Sequence, residues 1–214
     1  MSKFKALFVI ALLVLFVAAP VRAAQDTVKI GAAFALSGSI AVYGEGFKKC
    51  VDLAVAEINA KGGIKGKKIE IVYEDNKSNP KDCVTAVRKL ITVDKVPVIF
   101  GPAGSSNFMA TAPVAQENKV VLISAQGAAV GLTKAGEYIF RVFPSDTLQG
   151  PHLAKLAMSK GYKKVPVMYV NNDWGLGLKN AFVDAYKKMG GTVTDIIAYD
   201  EKKTDYRTEL LRAS

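Results

Sequence analysis

Residues 96–124 read VPVIFGPAGSSNFMATAPVAQENKVVLIS, and this stretch decides the fold class. Val96 to Phe100 is a short apolar run, the signature of a buried strand. Gly101-Pro102-Ala103-Gly104 makes a turn. Ser105 to Asn118 carries apolar residues at helical spacing, with a bend or interruption expected near Pro113. Val120 to Ser124 is a second apolar run. Strand, helix and strand in so short a span form a βαβ unit, which requires the two strands to run parallel.

The alternation extends in both directions. On the N-terminal side, Val28 to Leu36 is an apolar strand ending in Ser37-Gly38-Ser39. Gly46 to Ala60 places Phe47, Val51, Ala54 and Ile58 on one helical face, and Gly62-Gly63 ends it. Ile69 to Tyr73 is a strand, and Asp75 with Asn76 is read as bracing the loop after it. Pro80 suits the first position of a helix running to about Val93.

On the C-terminal side, Tyr138 to Phe143 is a strand closed by Pro144. Asp146-Thr147-Leu148-Gln149 resembles a capping box, opening a helix over 146–160. Strand Val165 to Val170, helix Gly175 to Met189, strand Thr192 to Ala198 and helix Tyr206 to Ala213 follow. The expected class is α/β, with parallel sheets in two Rossmann-like lobes. The first lobe spans 24–143, the second begins at 144 and runs to 214, and Phe143-Pro144 is the hinge between them.

The first residues bear on compartment. Lys3 and Lys5 precede an apolar run from Ala6 to Ala19, Pro20 breaks it, and Val21-Arg22-Ala23 places small residues before Ala24. This is the three-part layout of a signal peptide over 1–23. A membrane anchor would want roughly 20 apolar residues. The expected fate of the mature chain is therefore export.

Losing 1–23 removes Lys3, Lys5 and Arg22, so the net charge falls from +10 to +7. The excess is dispersed as lysine pairs such as Lys48-Lys49 and Lys187-Lys188. No clustered basic face or nucleic-acid motif accompanies it. Cys50 and Cys83 fall in separate helices and are read as two buried thiols, with a disulfide as the alternative for an exported chain. Their spacing fits no metal site, and the one histidine is His152.

Parallel sheets bind ligands beyond the carboxyl ends of their strands. Two hydroxyls in Gly101–Asn107 stand beside the free amides of a helix start, which makes either an anion site or a simple cap by Ser105. The loop lacks the Gly-Lys-Ser/Thr ending of a nucleotide-binding P-loop. The Ser124–Ala129 loop is small and nearly uncharged, either leaving room for a ligand or forming an ordinary turn. Trp174 follows strand 165–170 and either closes over a ligand or packs between the lobes. Tyr43 is its aromatic counterpart in the first lobe. No Ser/His/Asp set assembles on the strand ends, so the chain is not read as an enzyme.

These residues together resemble the type I periplasmic binding proteins of the leucine/isoleucine/valine-binding group. The resemblance rests on Lys29-Ile30-Gly31, Leu36-Ser37-Gly38-Ser39, Tyr43-Gly44, the run Ala56 to Lys67, and Asp75 through Pro80. It continues through Gly101 to Ser106, Leu122-Ile123-Ser124, Arg141, Asp146 with Gln149-Gly150-Pro151, and Asp173-Trp174-Gly175 with Gly177. It implies two lobes closing on a small molecule. Ser105 would hold the ligand carboxylate, with Ala103 and Gly104 lining the same turn. The backbone carbonyl of Gln126 would take an ammonium, and Tyr43 and Trp174 would face the ligand.

The sequence departs from the family at Ala128, where amino-acid binders carry threonine or serine. Alanine lacks that hydroxyl, a contact worth about 1.5–3 kcal/mol to a charged group. An aromatic acid, a fatty-acid-like ligand or an amide is the alternative. Relatives are also longer and cross between lobes three times, so this sequence is read as an N-terminal portion with the second lobe incomplete. The resemblance implies capture of a small carboxylate, most simply a branched-chain amino acid, for an ABC permease in the inner membrane. No cofactor or metal is implied. An extracellular sensing domain for a signalling partner is the rival role.

Overall fold

The computed structural model describes residues 27–214. The signal peptide and its cleavage point before Ala24 lie outside the described residues. Among the described residues, seven strands alternate with helices in chain order. The first sheet is built from β1 (Val28–Phe34), β2 (Ile69–Asp75), β3 (Val98–Phe100), β4 (Val121–Ser124) and β5 (Ile139–Arg141). Its spatial order is β2-β1-β3-β4-β5, with every neighbouring pair parallel. Helices α1 (Ala41–Ala60), α2 (Pro80–Thr92) and α3 (Ser105–Glu117) connect the first four strands.

The apolar runs of this sheet are buried because helices cover it. Ala32, Ala33, Ile99 and Leu122 are fully buried in it, and Val87, Leu90, Phe108 and Ala115 pack on it from α2 and α3. The order reverses between β1 and β3, because the chain leaves β1 toward β2 on one side and returns to β3 on the other. A crevice opens where connections diverge in this way. It lies between the loop at Leu36–Ile40 and the loop at Gly101–Gly104.

A second, two-stranded parallel sheet pairs β6 (Lys164–Val170) with β7 (Thr192–Tyr199). Helices α4 (Asp146–Ser159), α5 (Asp173–Lys188) and α6 (Arg207–Ala213) accompany it. Residues 142–145 join β5 to α4 and so link the two sheets.

Element boundaries depart from the sequence expectation where specific contacts intervene. Helix α1 starts at Ala41, ahead of the expected Gly46. A Cβ on Gly44 would fall 2.0 Å from the Ala35 carbonyl oxygen, so glycine lets the first turn lie directly on the end of β1. Strand β3 loses Val96 and Pro97: the Val96 amide donates to Leu90 O at 3.1 Å, and proline has no amide to offer the ladder. Helix α3 continues through Pro113 rather than breaking there.

Two further expectations are corrected. Cys83 is buried in α2, and burial pushes its thiol up to about 12, but Cys50 is exposed on α1. Both are free thiols, so the pair is one buried and one exposed. Asp146 does not cap α4. Ser145 takes that position, its Oγ accepting from the Thr147 amide at 3.3 Å, and Asp146 is turned into the interior.

Candidate ligand-binding cleft

A cleft of about 540 Å³ lies at the carboxyl ends of β1 and β3 and reaches the ends of β6 and β7. Tyr43, Gly104, Ser105 and Gln126 line it from the first sheet, and Trp174 lines it from the second. Five of the seven residues singled out in the sequence therefore meet in one place. Ala103 and Ala128 stand behind the wall, 1% and 4% exposed.

The wall around Ser105 is set by local backbone requirements. Gly104 adopts φ +84°, a left-handed conformation that glycine enters without cost, and turns the chain from β3 into α3. The first intrahelical donor is Phe108, whose amide reaches Gly104 O at 3.1 Å. The amides of Ser105, Ser106 and Asn107 precede it and form the electropositive end of α3. Asn107 is anchored by its own side chain, with Nδ2 donating to Ala103 O at 3.0 Å.

The Ser105 hydroxyl oxygen accepts from the Ala129 amide at 3.1 Å. A hydroxyl has one proton and two lone pairs. With an acceptor site occupied from behind, its proton is left to donate to an anion in the cleft. Buried Ser124 holds the adjoining loop, its Oγ accepting from Gly127 N at 2.7 Å and Gln126 N at 3.3 Å. The Ala128 carbonyl is used internally, accepting from Arg141 Nη1 at 3.2 Å and Asp146 N at 3.0 Å.

The loop after β1 is braced from β2. Asp75 Oδ1 accepts from the amides of Leu36, Ser37 and Lys77, and Oδ2 accepts from Ser37 Oγ at 2.7 Å. Burial raises the Asp75 pKa, but these hydrogen bonds outweigh it and hold the carboxyl below its usual range. Asn76 is fully buried and donates to Ala33 O at 2.8 Å. This scaffold carries Ser39, Ile40 and Tyr43 to the cleft.

The second wall begins at Asn172, whose Oδ1 accepts from Gly175 N at 2.9 Å and caps α5. A Cβ on Gly175 would fall 2.1 Å from Val170 O, so the helix starts tightly against the end of β6. That geometry places Trp174 over the cleft, 39% exposed. Across the gap, Asp173 N donates to Ser106 Oγ at 3.2 Å.

Glu201, in the turn after β7, also lines the cleft and accepts from Asn172 Nδ2 at 3.1 Å. Sequence reasoning missed Glu201 and Asn172 as site residues. Applying the strand-end rule to β7 as well as to β6 would have pointed to Glu201. Among the lining residues it is the single Asp, Glu, Lys, Arg or His side chain. Among the described residues no group of three or more His, Cys, Asp or Glu side chains is placed to hold a metal.

A reversing parallel sheet, a helix start without a side-chain cap and aromatics on both sides of the cleft make up the site. The chain belongs to the periplasmic binding protein family, whose model matches residues 27–214. It is similar to the Leu/Ile/Val-binding protein of Escherichia coli (strain K12), at 30% identity over 89% of this chain and 52% of the relative.

Two solved structures show the same architecture. One is the branched-chain amino acid transporter substrate binding protein LivJ from Streptococcus pneumoniae in complex with isoleucine. It has a TM-score of 0.79 and 36% identity over 87% of this chain and 53% of that one. The other is an ABC transporter solute binding protein from R. palustris in complex with 4-hydroxybenzoate. It has a TM-score of 0.79 and 31% identity over 87% of this chain and 50% of that one. The chain spans about half the length of the curated relatives it matches.

Proposed function

We propose that this protein is the solute-capturing component of an ABC uptake system, working in the periplasm on a small carboxylate-bearing solute. The observation that carries this is Ser105: its oxygen is engaged from behind by Ala129 N, its proton is left to donate, and the first amides of α3 stand beside it. A carboxylate at that point meets charge-assisted hydrogen bonds and the positive end of a helix. Tyr43 and Trp174 enclose the rest of the solute, and the delivery partner is an inner-membrane permease.

A branched-chain amino acid is the favoured solute, and Glu201 is the reason. The cleft has donors for an anion on one wall and a carboxylate on the other, a polarity that suits a zwitterion. The alternative is an aromatic acid. It is supported by the similarity to the R. palustris solute binding protein in complex with 4-hydroxybenzoate, at 31% identity.

Calorimetry with isoleucine and 4-hydroxybenzoate separates these readings. Ser105→Ala should weaken binding of either by about 1.5–3 kcal/mol, roughly 10- to 150-fold. Glu201→Gln should weaken isoleucine alone. Unchanged affinity in Ser105→Ala would remove the carboxylate assignment.

A further inference from the structure

Asp146 opens α4 and is 0% exposed. Its amide donates to Ala128 O at 3.0 Å, which ties the start of the second lobe to the loop after β4. Neither carboxylate oxygen meets a donor at hydrogen-bonding geometry among the described residues. Buried carboxylates are ordinarily paired. The group therefore has acceptor capacity that nothing described so far uses.

Two side chains act on it: Trp174 from α5 and Arg141 from β5. Arg141 acts through its charge alone and makes no hydrogen bond to the carboxylate; its Nη1 donates to Ala129 O at 2.9 Å and its Nη2 to Thr133 Oγ1 at 2.6 Å. Tryptophan has one polar side-chain group, the indole N–H, and it only donates. What Trp174 offers Asp146 is that proton.

We propose that Asp146 is a positioning residue for the cleft, taking the indole N–H of Trp174 as the two walls approach and so setting the ring over Ser105. Its service in solute capture rests on the function proposed above; the pairing with the indole does not. Asp146 directly follows the 142–145 link, so the ring plane is governed from the crossing itself. Burial raises the Asp146 pKa, against smaller lowering influences from Trp174 and Arg141. The carboxylate therefore gains its charge above the ordinary range of aspartate, and the pairing strengthens as it does. Titratable groups that share a pocket with the indole include Glu201 on the same wall, Tyr43 on the other, and Lys179, Tyr169 and Tyr199 in the adjoining groove, and Asp173 is its neighbour in α5.

The only tryptophan of the chain is Trp174, so emission excited beyond tyrosine absorption reports this indole alone. In the unliganded 214-residue chain, emission should show a pH step above the ordinary aspartate range while far-ultraviolet circular dichroism stays constant. Asp146→Asn should abolish the step and hold the emission at the low-pH value of the parent. Asp173→Asn and Glu201→Gln should leave the step in place.

A step that survives Asp146→Asn overturns the proposal. So does a parent chain that shows no step over the pH range where its circular dichroism is constant, a measurement that needs no variant. If the step behaves as expected but neither isoleucine nor 4-hydroxybenzoate binds, the proposed function falls and the pairing stands.

Discussion

The carboxylate of Asp75 at the end of β2 grips Ser37 twice, through its backbone amide at 3.2 Å and its hydroxyl at 2.7 Å. One side chain thus fixes the loop that carries Tyr43 to the cleft. Asp75→Ala leaves those donors without their partner and should destabilise the protein by about 1–3 kcal/mol in chemical denaturation.

The same carboxyl predicts a pH dependence. Its folded pKa is depressed, so the stability it confers is fully present above the aspartate value of the unfolded chain. That stability is lost as pH falls through the lower folded value. Asp75→Asn should therefore flatten the acid limb of the stability profile. An acid limb identical to the parent's would show that the bonds at Ser37 contribute nothing.

Gly150 sets the spacing of α4 and α5. A Cβ there would stand 2.6 Å from Ala181 Cβ and 2.7 Å from the Phe182 amide nitrogen, both too close for any real contact. Gly150→Ala gains about 1 kcal/mol of helix propensity, but overpacking costs about 1–3 kcal/mol. The clash involves backbone, which cannot swing aside, so a net loss of up to about 2 kcal/mol is expected from thermal melting. A rise in melting temperature would show that the helices part freely.

The two thiols should separate kinetically. Cys50 is exposed and Cys83 is buried with its pKa pushed up to about 12. Thiolate is the reactive form, so Ellman's reagent should titrate one thiol per native chain and two after unfolding. Cys50→Ser should remove the native reaction. Two fast thiols in the native protein would contradict the packing of α2.

Helix α2 offers a local test. Asn79 Oδ1 accepts from the Asp82 amide at 3.0 Å, capping a helix that contributes Ala86, Val87 and Leu90 to the core. Asn79→Ala should cost about 0.5–2 kcal/mol, while Asn79→Ser should recover most of it, both read by urea denaturation.

The alternation of strands and helices was legible because helix and strand periods differ and the strands of the first sheet are apolar runs covered by helices. Ser105 was legible for a related reason: the carboxyl ends of parallel strands are the only concave edge such a sheet offers. Glu201 was not, because Asp200-Glu201-Lys202-Lys203 has the composition of a solvated turn. Only the pairing of β7 with β6 brings it to the cleft.

Asp146 was misread because two adjacent residues, Ser145 and Asp146, both suit a helix cap. Packing decided between them: the bond from Asp146 N to Ala128 O draws that residue inward and leaves Ser145 to cap. Cys50 was misjudged because α1 has a broad, weakly apolar surface on which burial is not marked by pattern.

Four residues, Val142 to Ser145, separate β5 from α4. A tether this short keeps the second wall at a high effective concentration around the first, in the millimolar range for short flexible links. A solute seated on Ser105 therefore meets Trp174 as a neighbour already at hand rather than as a partner recruited from solution. Most of its binding free energy can then appear as affinity, because little is spent on assembling the walls around it.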